Sequence, residues 1–340
     1  MPVKVYTDPL MLAGPPELTS DVARFLARAN CLAGVENFTN ELHGSPSHES
    51  IAAETVALAP RTRRRSLEGQ AQRLLRVAWQ TELAARLTAV FDEPALKRVT
   101  SHTLPVHAYY ALFNAQRALS RARGSPVDTH RGVHDGFAKQ GVTQVPMPWA
   151  ATLAGDPEDI EACVLSPPFM ECFAVDPLKR SYEPAAYLLA ALRMARRWKY
   201  ERARLDWLNA KQNRKADATV RKRLPKGERT RIVSRMRPTS LLDFIYELRR
   251  QTHYETTDEY GTEVTDEDVE RLHRGFDRLL DHGMLIIEAQ VACAVGMSEL
   301  RSQTAAWEQS TRRIGAWASD PLRERVKAVA RATVSVTRTG

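Results

Sequence analysis

A chain of 340 residues with 43% hydrophobic side chains can bury a sizeable core, which excludes disorder as a description of the whole. The N-terminal stretch lacks the basic-then-apolar order of a signal peptide. The longest apolar run, Met284 to Met297, is broken by Glu288 and Gln290 and is too short to span a bilayer, so a cytoplasmic protein without membrane contact is expected. The formal charge of +8 is concentrated: Lys211 to Arg237 carries 11 Lys/Arg against Asp217 and Glu228, a net +9, which leaves about −1 for the remainder.

Along the chain, nearly every segment reads as helix. Thr19 or Ser20 is placed to cap a helix with Val22, Phe25, Ala29 and Leu32 on one face. Residues 45 to 65 read as a polar loop between Pro46 and Pro60, ending in Arg61-Thr-Arg-Arg-Arg65. Leu75, Trp79, Leu83, Leu87 and Val90 then recur at helical spacing. Pro105 suits the first turn of the next helix and Gly124 its end. Thr129 suits the cap of a short helix through Phe137.

Residues 142 to 182 are proline-rich and read as irregular. Pro184 opens a long helix with Tyr187, Met194, Trp198, Leu205 and Leu208 on a stripe, and this helix runs into the basic segment. A further helix starts near Thr239 or Ser240 and reaches Tyr254. Thr265 with Asp268 resembles a capping box, opening a helix with Val269, Leu272, Phe276, Leu279, Gly283 and Ile286 inside. Two more helices fill 298 to 335, separated at Ser319-Asp-Pro321. Glycine-rich phosphate loops and βαβ punctuation are absent, which argues against nucleotide-hydrolysing and dinucleotide-binding folds. Cys31, Cys163, Cys172 and Cys293 are far apart and have no metal-ligand spacing, so they read as buried or incidental thiols.

Three patterns carry chemistry. Arg249 and His253 lie at i and i+4, so one helix face holds a fixed cation and a side chain that exchanges protons near neutral pH, beside Arg250 and Tyr254. The same residues also fit a solvated helix end, with cations favourably placed at the C-terminal end of the dipole. His130 and His134 are also at i and i+4; a third metal ligand is missing, so packing at the Thr129 cap is the favoured reading and no metal or cofactor is expected. The third pattern is the basic segment (Lys211, Arg214, Lys215, Arg221, Lys222, Arg223, Lys226, Arg229, Arg231, Arg235, Arg237), which has the electrostatic footprint of a nucleic-acid partner. Trp198 and Trp207 precede it; stacking on single-stranded RNA competes there with core packing, which their spacing favours. Tyr110 and Phe113 read as core, with Tyr110, Tyr109 and His107 near enough to approach the Arg249 face.

Two blocks together resemble a known family. Ala108-Tyr-Tyr-Ala-Leu-Phe-Asn-Ala-Gln-Arg-Ala-Leu119 is followed by Thr129-His-Arg-Gly-Val-His-Asp-Gly-Phe137. Leu248-Arg-Arg-Gln-Thr-His-Tyr-Glu255 is followed by Val264-Thr-Asp-Glu-Asp-Val269 and its long helix. Over about 100 of the 340 residues the pair resembles the HEPN family, specifically the small HEPN proteins encoded beside minimal nucleotidyltransferases. The fold implied is all-α: a HEPN-like antiparallel helical bundle split by a helical, basic insertion. Its parts would be an N-terminal helical region (1–100), a first half (101–141), an insertion (142–238) carrying the basic segment 211–237, a second half (239–297) and C-terminal helices (298–340).

The resemblance implies a metal-independent endoribonuclease leaving 2′,3′-cyclic phosphate ends, an effector or toxin in a prokaryotic defence or toxin–antitoxin system. Arg249 would clamp phosphate and His253 would move protons. Arg250, Tyr254, His130 and Tyr110 would support them. It also implies a homodimer or a place in a larger complex, with a nucleotidyltransferase or other defence protein as partner. Only three residues separate Arg249 from His253, one fewer than the family's shortest usual gap. That keeps open the alternative of a non-catalytic module binding RNA or protein.

Overall fold

The structure, a computed structural model, describes residues 21–44, 48–60, 67, 69–91, 93–159, 163–166, 184–210, 213, 223–225, 227–254 and 264–339. Helix accounts for 78% of them, so the fold is all-α. The elements in order are α1 (Asp21–His43), α2 (His48–Leu58), α3 (Gln70–Phe91), α4 (Pro94–Thr100), α5 (Leu104–Ala122), α6 (His130–Gln144), β1 (Thr152–Ala154), β2 (Val164–Ser166), α7 (Pro184–Asn209), α8 (Glu228–Arg235), β3 (Thr239–Ser240), α9 (Leu241–Tyr254), α10 (Asp266–Val295), α11 (Met297–Thr311) and α12 (Asp320–Thr339).

α10 is the axis of the core, with every residue from Leu279 to Ala292 buried. Its two faces are covered by α1 and α5, with α2, α4, α11 and α12 along its length. α5 lies between α3, α10 and α9, and α7 packs on α1 and α9. One hydrophobic cluster runs from Ala29 to Ala332, so the N-terminal helices and α7 share a core with α5, α9 and α10. Gly283 lets α10 and α5 approach closely: a Cβ there would lie 2.6 Å from a Leu112 methyl and 2.7 Å from the Trp149 ring.

The apolar core also holds an ionic knot. Arg325 of α12 is fully buried and donates to Glu82 of α3 and to Asp281 and Glu288 of α10 at 2.6–2.9 Å. Arg86 adds a second cation, and His48 of α2 contacts Asp281. Burial pushes Glu288 up against the pull of Arg325; at Asp281 burial is outweighed by His48, Arg325 and Arg86, which hold its carboxyl well below the usual range. The two polar interruptions of the Met284–Met297 run thus have buried partners: Glu288 takes Arg325 and the Trp79 indole, and Gln290 donates to the Gln144 carbonyl at 2.7 Å.

Four details correct the sequence reading. The stretch expected as a polar loop over 45–65 contains α2, because Ile51, Ala52, Thr55 and Val56 form a narrow stripe that fits against α10 and α12. The region expected as irregular over 142–182 contains β1 and β2, which pair antiparallel with each other, while β3 pairs with the other edge of β1 (Thr152 opposite Ser240). α6 continues past Phe137 to Gln144 because Val133, Phe137 and Ala138 bury its inner face. Stripe residues near two helix ends turn outward: Leu205 of α7 is 50% exposed while Leu208 on the same stripe is buried, and Leu87 and Val90 of the α3 stripe are exposed. The Thr265 side chain does cap α10, accepting from the Asp268 amide; the Asp268 carboxylate meets the Thr265 hydroxyl rather than its amide. The expected cap at Thr19 or Ser20 and the arginine cluster 61–65 lie outside the described residues.

Candidate functional site

Three helix segments meet beside the small sheet. Thr129, extended at φ −95° and ψ 148°, caps α6 by accepting from the Gly132 amide at 3.1 Å. The cap places His130 in the first turn and His134 one turn later on the same face. Position 132 is confined, since a Cβ would lie 2.6 Å from a Val127 methyl. α5 presents Tyr109, Tyr110 and Phe113 opposite. At the start of α9 the Ser240 amide and hydroxyl both donate to the Asp243 carboxylate, at 2.9 and 3.2 Å. From that start, Asp243, Tyr246 and Arg249 follow at three-residue steps along one stripe.

α7 and the small sheet fix this corner. Arg196 of α7, 1% exposed, donates to the carbonyls of Gly155 (2.6 Å), Leu153 (3.3 Å) and Arg237 (3.0 Å), tying α7 to the sheet and to the entry of α9. Arg237 in turn forks the fully buried Asp243 at 3.0 and 2.5 Å and reaches Asp135 at 3.0 Å. Lys199 stands 3.6 Å from Asp243. Burial pushes Asp243 up, but Lys199, His134 and Arg237 outweigh it and hold the carboxyl well below the usual range. Lys199 is pushed down to about 8 by burial, partly offset by Asp243.

From Asp243 a hydrogen-bonded chain runs outward. His134 Nδ1 lies 2.9 Å from Asp243 Oδ1, His134 Nε2 lies 3.0 Å from the Tyr109 hydroxyl, and that hydroxyl lies 2.6 Å from His130 Nδ1. Tyr109 and His134 are buried and His130 is exposed. The Phe113 ring stacks on His130 at 4.5 Å between centroids. Burial lowers the pKa of both histidines; Arg249 lowers His130 further, while Asp243 opposes the shift at His134. Burial also raises the Tyr109 phenol well above its usual range, so it stays protonated.

Arg249 sits over the same aromatic group. Its guanidinium carbon lies 4.8 Å from the centroid of Tyr110, 5.5 Å from Tyr109 and 5.7 Å from Tyr246, and Nη2 donates to the Tyr110 hydroxyl at 2.8 Å. His130 contacts all three of those rings, so a fixed cation and an exposed imidazole occupy one rim. The next shell is also charged. Glu247 takes both Arg202 nitrogens at 3.1 and 2.8 Å, with Arg250 at 3.7 Å.

Among the expected site residues, the structure brings Arg249, His130 and Tyr110 together, with Arg250 beside Glu247. Tyr110 is half-buried rather than core, while Phe113 is buried as expected. His253 and Tyr254 lie in the last turn of α9, but their side chains are outside the described residues. The His130/His134 pair is bridged by the Tyr109 hydroxyl, and no group of three or more metal-ligating side chains occurs among the described residues. Lys211, Arg214, Lys215, Arg221, Lys222 and Lys226 are outside the described residues; Arg223, Arg231 and Arg235 are exposed. Arg229 forks Asp156 at 2.7 and 2.8 Å, and Arg237 belongs to the Asp243 cluster, so carboxylates occupy these two guanidinium forks. Trp198 packs against the core.

Sequence reasoning missed Asp243, Tyr246 and Lys199. The signal for Asp243 was the Ser240-x-x-Asp243 cap pattern, which by itself suggests only a helix start. No family model, curated protein or solved structure matches the chain. No helix among the described residues is long and apolar enough to cross a membrane.

Proposed function

We propose that this protein is a metal-independent endoribonuclease of the HEPN type. The observation that carries the proposal is the rim where Arg249, braced by three tyrosines, shares its surface with an imidazole. An arginine fork offers paired donors to the non-bridging oxygens of a phosphodiester and stabilises the charge that grows there in the transition state. An imidazole can accept and donate the protons of the reaction. Attack by the ribose 2′-oxygen breaks the bond to the 5′-oxygen and leaves a 2′,3′-cyclic phosphate and a 5′-hydroxyl. Arg249 is the phosphate clamp and His253, one turn further along α9, a proton carrier. The net +9 of residues 211–237 supplies general attraction for RNA. The family resemblance alone supplies the setting: a cytoplasmic effector of a defence or toxin–antitoxin system, acting as a homodimer or within a larger complex.

A second reading is favoured by how firmly the tyrosines hold Arg249: a module that binds RNA without cutting it. Incubating the full chain with single-stranded RNA in EDTA separates the two. The ribonuclease reading predicts cleavage with cyclic-phosphate ends, lost in His253→Ala. RNA that is retained but uncut, or cut only with a divalent ion, rejects it.

A further inference from the structure

We propose that His130 is the proton-accepting residue of this site, held as its Nδ1–H tautomer by a buried hydrogen-bonded chain through Tyr109, His134 and Asp243. The role in RNA cleavage rests on the function proposed above; the tautomer does not.

The direction of the chain follows from counting protons. Asp243 is fully buried and takes two donors from Arg237 and two from Ser240, with Lys199 nearby. It is an ionised carboxylate and can only accept. His134 Nδ1, 2.9 Å away, must therefore donate to it. His134 is 1% exposed, and the Asp243 charge is already met by Arg237 and Lys199, so a second proton on His134 would add an uncompensated buried charge. Burial accordingly keeps His134 neutral. Its Nε2 is then an acceptor, and the single proton of the Tyr109 hydroxyl must point to it at 3.0 Å. The Tyr109 oxygen is left as an acceptor at 2.6 Å from His130 Nδ1. Nδ1 of His130 carries the hydrogen, and its neutral ring keeps the Nε2 lone pair available on an exposed side chain.

The groups facing His130 fit a base. Tyr109, Tyr110 and Phe113 of α5 and Tyr246 of α9 surround the ring, and the cations Arg249 and Arg117 bear on it, Arg117 being paired with Asp128 at 2.7 Å. Burial and these cations keep the imidazole neutral and ready to accept. In the reaction, His130 Nε2 takes the proton of the ribose 2′-hydroxyl as that oxygen bonds to phosphorus. The phosphorus–O5′ bond breaks, and the leaving oxygen takes a proton from a second group, assigned above to His253. The imidazolium formed at His130 keeps its Nδ1–H on the Tyr109 oxygen. Tyr109, His134 and Asp243 are positioning residues, and a single chain carries both proton-transfer groups.

Two-bond proton–nitrogen correlation spectra of the full chain labelled with ¹⁵N-histidine read the tautomer directly. Wild type above the His130 pKa is expected to show His130 as Nδ1–H, and Tyr109→Phe is expected to return it to the Nε2–H form that free side chains favour. An Nε2–H tautomer in wild type overturns the proposal, with no need for a variant to fold. If the protein cuts RNA, His130→Gln should slow it about 10²–10⁴-fold and remove the acidic limb of the pH profile; an unchanged rate overturns the proposed role. A wild type with the expected tautomer that leaves RNA intact overturns the ribonuclease reading instead. Cleavage with His130 as Nε2–H overturns this proposal and leaves the ribonuclease reading standing.

Discussion

Asp243→Asn tests the site and its scaffold together. The substitution keeps the shape and removes a charge that is fully buried between Arg237, Lys199 and His134. Removing one partner of a buried ion pair typically costs about 3–5 kcal/mol. Arg237 retains Asp135 at 3.0 Å, which places the expected loss at the lower end, about 3 kcal/mol. Urea denaturation should show a lower midpoint at an unchanged slope. The consequence for the site is sharper. The Ser240 amide and hydroxyl and Arg237 Nη1 all donate to Oδ2, so the asparagine carbonyl must remain there; its NH₂ then takes the place of Oδ1, facing His134 and removing the acceptor of Arg237 Nη2. His134 Nδ1 then accepts, Nε2 carries the proton, the Tyr109 hydroxyl turns to His130, and His130 becomes Nε2–H. The whole chain reverses. A loss under about 1 kcal/mol would refute the reasoning on burial, and an unchanged His130 tautomer would refute the assignment of donors and acceptors.

Other outcomes test the packing and the buried charges. Gly283→Ala should cost about 1–3 kcal/mol, read from the thermal midpoint, because its Cβ would fall 2.6 Å from Leu112 and 2.7 Å from Trp149; the same substitution made in a Leu112→Ala background should cost less. Arg325→Met leaves Glu82, Asp281 and Glu288 buried without their shared cation and should cost at least about 3–5 kcal/mol or prevent folding, measured by urea denaturation. His282 is 4% exposed and burial lowers its pKa to about 4, below its unfolded value. The neutral form is the folded one, so its contribution is intact above the unfolded pKa and stability falls as pH drops from about 6.5 toward 4, by roughly 3 kcal/mol. His282→Gln should flatten the urea midpoint across that window; an unchanged slope contradicts the burial argument.

Periodicity carried the helices well where their inner faces are long: Val269 through Ile286 on α10 are buried as spaced, as are Leu75 and Trp79 on α3, whereas Leu87 and Val90 at the far end of the α3 stripe are exposed. Where the signal is short it fails. α2 buries only four residues, so its polar flanks dominated the pattern, and strands of two or three residues leave no alternation to detect. The site divides the same way. Arg249 and His130 are conspicuous by residue type. Asp243 is not, because its partner His134 lies 109 residues away and Arg196 and Lys199, which hold the corner, come from a helix that reads as an insertion. Local spacing shows which groups share a face; it does not show which faces meet.

The most direct test of the proposed function compares wild type with Arg249→Gln on single-stranded RNA in EDTA, following both cleavage and binding. Loss of the tyrosine-braced guanidinium should slow cleavage about 10²–10³-fold, with 2′,3′-cyclic phosphate ends in the wild-type products. Wild-type protein that binds the RNA and leaves it whole, or Arg249→Gln that cuts at the wild-type rate, would contradict the account.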